Sequence, residues 1–328
     1  LEFDSVGDTG VASALGSGDA EDQAADQIDI GQNSYTGTLR YIGTEAAGHA
    51  TNRDINLFGT TGGARIEANG LGALTLNGDV LANNGTTKTL TLAGSNTGSI
   101  NGTIHDLSGG SVNVRKEGPG KWTLSGENLY AGSTVVVGGE LELTGRLGTD
   151  TYSGGLLAVS STLTIDGANI KATDLNQTAS STLNFRSGRL ELTDNESGET
   201  HAGSIDIGTV GVGELVLSGG DQQFRSVSLN GPDDALDFRG GSYAFESLDN
   251  SAGGTIAGTA NTTVSITGRF THNVPSGAQT FAPKLAGDGG LTKRGNGTLR
   301  LTAEHSYNGL THVQAGTLEL DSTANLDN

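Results

Sequence analysis

Ser161-Thr162-Leu163-Thr164-Ile165 recurs twenty residues later as Ser181-Thr182-Leu183-Asn184-Phe185, and Ile170 then falls on Leu190. Further along, Leu215-Val216-Leu217 falls on Leu236-Asp237-Phe238 at an offset of 21. At that same offset Gly219 meets Gly240, Gly220 meets Gly241, Phe224 meets Phe245 and Val227 meets Leu248. The apolar positions keep register while their neighbours become charged. Stacked coils require this, because each coil sets its inward side chains above those of the coil below and bonds to it through the backbone. The spacing predicts an all-β chain, a right-handed single-stranded parallel β-helix. A propeller would repeat at ~40–45 residues per blade. At ~20–25 residues per coil, the chain beyond Ile28 would make about 12–15 coils.

Short apolar pairs at i and i+2 support strands with one buried face: Ile28/Ile30, Ile55/Leu57, Leu74/Leu76, Leu90/Leu92, Val112/Val114 and Trp122/Leu124. Gly, Asn, Asp and Ser clusters separate them. Residues 1–27 lack this pattern and read as a linker or loose N-terminal cap, with a short amphipathic helix between Ala20 and Ile28 as the one helical candidate. Residues 28–328 read as the solenoid.

The 328 residues include 54 Gly and no Cys, and Leu, Ile, Val and Phe make up about 22% of the chain. A single spherical core of this size needs more apolar residues, whereas a solenoid shares a thin core between neighbouring coils. Absence of Cys excludes disulfides and thiolate metal sites. The net charge of −19 argues against nucleic acid and against electrostatic binding to anionic lipid, both of which need clustered cations. No apolar run is long enough for a membrane-spanning helix, and no secretory signal is visible. Without an initiator Met, the chain reads as a fragment or mature product.

A second repeat is longer. VRKEGPGKWTLSGENLYAGSTVVVGGELEL at 114–143 aligns without a gap on LTKRGNGTLRLTAEHSYNGLTHVQAGTLEL at 291–320, with thirteen of thirty positions identical. Lys116/Lys293, Gly118/Gly295, Gly120/Gly297, Leu124/Leu301, Tyr130/Tyr307, Gly132/Gly309, Thr134/Thr311, Gly139/Gly316 and Leu141/Leu318 are among the identities. The same Gly-x-Gly core recurs at Gly70-Leu71-Gly72-Ala73-Leu74-Thr75-Leu76 and at Gly211-Val212-Gly213-Glu214-Leu215-Val216-Leu217. Comparing the long copies sorts the faces. Trp122/Leu299, Leu124/Leu301, Val136/Val313, Leu141/Leu318 and Leu143/Leu320 stay apolar and should point inward. Thr123/Arg300, Val135/His312, Val137/Gln314 and Glu142/Glu319 should point outward.

This pair resembles the autotransporter-associated β-strand repeat, also called the passenger-associated transport repeat. The copy at 291–320 departs from the family pattern at Ala303, Glu304 and His305, and the copy at 114–143 at Arg115, Glu117, Lys121 and Glu140. Residues Asn52 to Gly78 also look like the region preceding such repeats. The resemblance implies an autotransporter passenger domain, displayed on the bacterial surface or secreted, with an outer-membrane barrel outside this chain. It further implies that the repeats assist secretion.

β-Helices include pectin-cleaving enzymes, so the carboxylates need weighing. Asp233-Asp234-x-x-Asp237 with Arg239 is the nearest cluster, but the Gly-His-Gly of a polygalacturonase-like site is missing. Asp233 and Asp234 follow Gly231-Pro232 and read as a solvated turn, and Asp237 takes the outward place of Val216. His49, His105, His201, His272, His305 and His312 show no metal spacing and read as surface or turn residues. Calcium could be held at Asp194-Asn195-Glu196 or Asp19-Ala20-Glu21-Asp22, although the nonapeptide array of calcium β-rolls is absent. No Gly-x-Ser-x-Gly elbow and no Arg-Gly-Asp occurs. Trp122 reads as core because it aligns with Leu299, and Val135 and Val137 as residues under a covering loop.

The expectation is therefore a non-enzymatic module with no catalytic, cofactor or metal residues, acting as an adhesin, aggregation module or stalk. Its partners would be a host or bacterial surface, a second copy, or extracellular matrix or glycan. The alternatives are a glycan-active β-helix enzyme and a segment that mainly aids secretion.

Overall fold

The computed structural model describes the chain apart from residues 20–25, 83–85, 107–109, 149–153, 194–196 and 322–328. The candidate helix between Ala20 and Ile28 and the Asp194–Glu196 acidic corner lie largely or wholly outside the described residues, as do Ala20, Glu21 and Asp22. Among the described residues every named element is a strand, and the ladders between strands are parallel. The chain forms a parallel β-solenoid of about 12 turns. It divides into two compact units, Leu1–Thr164 with Ala168–Lys171, and Ile165–Gly167 with Ala172–Asn328.

In the first unit each coil lays short strands on three stacks. One stack carries Gly37–Tyr41, Ala64–Ala68, Lys88–Ala93, Val112–Lys116 and Thr134–Val136. Its ladder places Leu39 on Ile66 and Ile66 on Leu92, all three buried. Glu2–Phe3 pairs with Arg40 and Tyr41 at the start of this stack, and Phe3 and Val6 are buried. A second stack sets Leu74, Gly98, Trp122 and Leu141 in one column and Leu76, Ile100, Leu124 and Leu143 in the next. A third aligns Ile55, Val80 and Ile104. Alternation does the sorting: in Val112–Lys116 the burial runs buried, partial, buried, partial, buried.

The outward face of the first stack carries a ladder of charges. Arg40 bonds Glu2 at 2.7 Å and Glu67 at 2.5 Å, and Arg65 bonds Glu67 and Glu117, both at 2.6 Å. Arg115 closes the series on Glu117 at 2.5 Å. Burial alone would raise the Glu67 carboxyl, but hydrogen bonds from Arg65 and Arg40 hold it below the ordinary range. Opposite charges on adjacent coils are the sheet counterpart of helical ion pairs.

In the second unit the 21-residue echo is literal stacking. Leu215 sits on Leu236 and Leu217 on Phe238. Phe224 sits on Phe245 and Val227 on Leu248. The column continues from Leu248 to Phe270 and Leu291. The stacked glycines Gly219 and Gly240 turn the corner at φ of 86° and 88°, a region closed to most side chains. Leu163 lies in the first unit and Leu183 in the second, and both are buried.

Most positions sorted as inward are buried, including Trp122, Leu124, Val136, Leu141, Leu143, Leu299 and Leu301. Val313 and Leu320 depart from that expectation. They keep inward register on Lys293 and Leu301 yet are 44% and 40% exposed. They stand on the last described coil, where no described residue stacks above them.

Three of the six histidines are buried, which corrects the surface reading. His201, His272 and His305 sit in core positions because inward columns accept a flat ring that stacks on or bonds to its neighbours. Burial pushes both His272 and His305 down to about 4. The unfolded imidazoles titrate near ~6.5. Below that pH the unfolded chain takes up protons that the native state refuses. The contribution of each is thus complete above pH ~6.5 and is lost as the pH falls toward about 4, amounting to about 2–3 kcal/mol per imidazole. Urea melts at pH 7, 6 and 5 should show the midpoint falling with acid, and a flat profile would contradict these burials.

Candidate functional site

The second unit presents the most developed surface feature. Its long strands Asp221–Leu229, Gly241–Asn250 and Thr262–Asn273 bend without breaking. The bend is made by register shifts between His201 and Ser204 and between Phe245 and Ser247, as β-bulges redirect a strand. Inside the bend runs an aromatic ladder: His201 on Phe224 with ring centroids at 4.4 Å, and Phe224 on Phe245 at 5.1 Å. His201 Nε2 lies 3.8 Å from Asp174 Oδ1.

Three depressions adjoin along this bend. The largest, about 350 Å³, is lined by Gln223, Arg225, Glu246 and Thr267 over the ladder. A second, about 140 Å³, shares Gln223 and Ala244 with it and adds Asp221, Ser242 and Ser265. A third, about 260 Å³, shares Arg225 and adds Thr182, Asn184, Ser204 and Asp206. Together they make a shallow trough across successive coils, with polar groups along its sides and Phe224 and Phe245 in the floor of the largest depression. Hydroxyls of neighbouring coils bond along it, Ser226 to Ser204 at 2.7 Å. Arg225 is the guanidinium among the lining residues, is exposed, and makes no ion pair among the described residues.

The Asp233–Arg239 cluster does other work. Asp233 is exposed, but Asp234 is only 1% exposed, which corrects the solvated-turn reading. Its Oδ1 accepts from the Gly213 amide at 2.9 Å, and its Oδ2 from the Asn230 and Gly231 amides at 3.0 and 2.6 Å. Asp237 is half-buried on the outward face and bonds Arg239 at 2.8 Å. The Asp234 and Asp237 carboxylates are engaged by backbone donors and a guanidinium. Among the described residues no group of three or more His, Asp or Glu is placed to hold a metal, and no helix is long and apolar enough to cross a membrane. Trp122 is fully buried, and its indole donates to the Ala93 carbonyl at 2.9 Å. Val135 is half-buried, and Val137 is 38% exposed rather than covered.

Comparison with known proteins bears on the repeats. The passenger-associated-transport-repeat family matches residues 114–143 and 291–320. These repeats, with the relative that follows, support an autotransporter passenger domain. It is similar to the adhesin BmaC autotransporter of Brucella suis biovar 1 (strain 1330), at 36% identity over 169 residues. That match covers 48% of this chain and 5% of the relative, so the chain corresponds to a small part of the relative's length. No solved structure matches. An autotransporter passenger is consistent with surface display or secretion.

The trough was not legible in the sequence. Its residues are ordinary outward Ser, Thr, Gln and Asp on alternating strands, and the register shifts between those strands leave no mark in the apolar period.

Proposed function

We propose that this chain is a non-enzymatic adhesion module of a surface-displayed passenger, and that the polar trough of the second unit is its contact surface for a neutral glycan. The lining carries the reading. Hydroxyl, amide and carboxylate groups of short side chains, with a single guanidinium, match the donors and acceptors of a polyhydroxylated chain. Nucleic acid would need clustered cations. Phe224 and Phe245 line the floor of the largest depression but are almost wholly buried, so they offer a protein partner no protruding aromatic anchor, and a lipid surface would need an apolar face or a basic patch. The rise of ~4.8 Å per coil spaces the lining positions regularly along the trough. The relative carrying the word adhesin in its name supports the same direction.

The test is calorimetric titration with neutral and acidic oligosaccharides, run beside an assay for new reducing ends. Saturable binding to a neutral glycan, weakened at least about tenfold, or about 1.4 kcal/mol, in the double variant Gln223→Ala/Arg225→Ala and without new reducing ends, is the expected result. Sustained cleavage lost in Glu246→Gln would replace this reading with a glycan-active enzyme. Equal binding by the double variant would remove the trough from the reading.

A further inference from the structure

We propose that Lys116 and Lys293 are register clamps, each an internal ammonium that joins the corner of its own coil to the corner of the coil that follows. Both side chains are fully buried on inward positions of their strands. Their register neighbours are Leu92 and Val136 for Lys116, and His272 and Val313 for Lys293. An ammonium in such a column is costly unless its protons are satisfied.

The satisfaction is complete, and it is the same in both copies. Lys116 Nζ donates to the carbonyls of Glu117 at 2.7 Å, Gly118 at 3.0 Å and Gly138 at 2.8 Å. Lys293 Nζ donates to those of Arg294 at 2.6 Å, Gly295 at 2.8 Å and Ala315 at 3.1 Å. Three donors meet three acceptors, the full capacity of the group. Burial lowers Lys116 to about 8, so at pH 7 it is still an ammonium.

The cage has a direction. Two acceptors belong to the lysine's own corner, and the third arrives 22 residues later with the next winding. The glycines identical between the copies make the approach feasible. A Cβ on Gly139 would sit 2.3 Å from the Gly120 carbonyl oxygen and 2.5 Å from that of Gly118. On Gly316 it would sit 2.3 and 2.4 Å from the Gly297 and Gly295 oxygens. Lys116, Gly118, Gly120 and Gly139, with their counterparts, therefore form one device. Until the next coil is laid down, one ammonium proton lacks its carbonyl, and the cage closes only when that coil lands in register. This goes beyond the adhesion reading and does not depend on it.

Lys116→Met and Lys293→Met keep an unbranched stem and delete the donors, and hydrogen exchange reads the result amide by amide. After Lys116→Met, exchange at Val137 and Glu140, whose amides bond back to Lys116 and Gly120, should quicken about tenfold as the following coil loosens. Glu117 and Gly120, which bond to Leu92 and Gly94 of the preceding coil, should stay within about twofold. Lys293→Met should do the same at Gln314 and Thr317. Unchanged exchange, or equal quickening on both sides, would overturn the proposal. If the variants do not fold, the wild-type protein decides: ammonium protons of Lys116 and Lys293 should exchange slowly enough to be seen by nitrogen-15 NMR at neutral pH, and fast exchange would refute the cage.

Discussion

Trp122→Ala should lower the unfolding free energy by about 3–5 kcal/mol, measured as a fall in urea midpoint at unchanged slope. Trp122 is the largest fully buried side chain, and its indole nitrogen bonds the Ala93 carbonyl. Truncation removes the ring from its column and leaves that buried carbonyl without its donor. The ring fits because the coil beneath leaves room for it: Gly98 lies in register under Trp122, and a Cβ there would sit 2.5 Å from the indole. The second repeat solves the same place differently, with Leu299 in register over Gln279. Trp122→Leu should therefore cost less than Trp122→Ala but leave a void over Gly98. Adding Gly98→Ala to Trp122→Leu should recover part of the loss, whereas Gly98→Ala alone should destabilise. Strict additivity in this cycle would show that the two positions do not pack on each other.

Asp234→Ala should cost about 2–3 kcal/mol, because it strands the buried Gly213 amide and the part-buried Gly231 amide, while the Asn230 amide keeps the Ile207 carbonyl. The carboxylate is built into the corner. Gly208 comes so close that a Cβ there would fall 1.9 Å from Oδ1. Asp234→Asn keeps the shape but turns an amide NH₂ toward at least one N–H donor, and should fall between wild type and Ala in a thermal or urea melt. Both variants should lose protection at Gly213 and Gly231. A wild-type melt for Asp234→Ala would mean that these hydrogen bonds do not hold the corner. The same numbers guard the enzymatic alternative, since lost cleavage in an Asp234 variant counts as chemistry only if its melt is unchanged.

The inward columns were readable before any coordinate. Leu217 over Phe238 and Phe224 over Phe245 follow from an offset of 21 and from strand alternation, because parallel in-register coils bring equal positions together. The corners were not readable. Asp234 looked like a solvated turn residue after Gly231-Pro232, and its burial depends on three amides from two coils converging on it. Lys116 and Lys293 stood out as identical while their neighbours varied, but no periodicity says that a lysine on an inward strand position can find three carbonyls.

The sequence by itself determined that this protein is a parallel solenoid with a duplicated passenger-associated repeat, because stacking turns linear offsets into contacts. Which polar groups the interior accepts, and where the outward residues gather into a trough, only the tertiary structure decided. Those outcomes turn on bulges and corner geometry, where the chain changes direction and backbone donors and acceptors from different coils meet, and the apolar period carries no record of them.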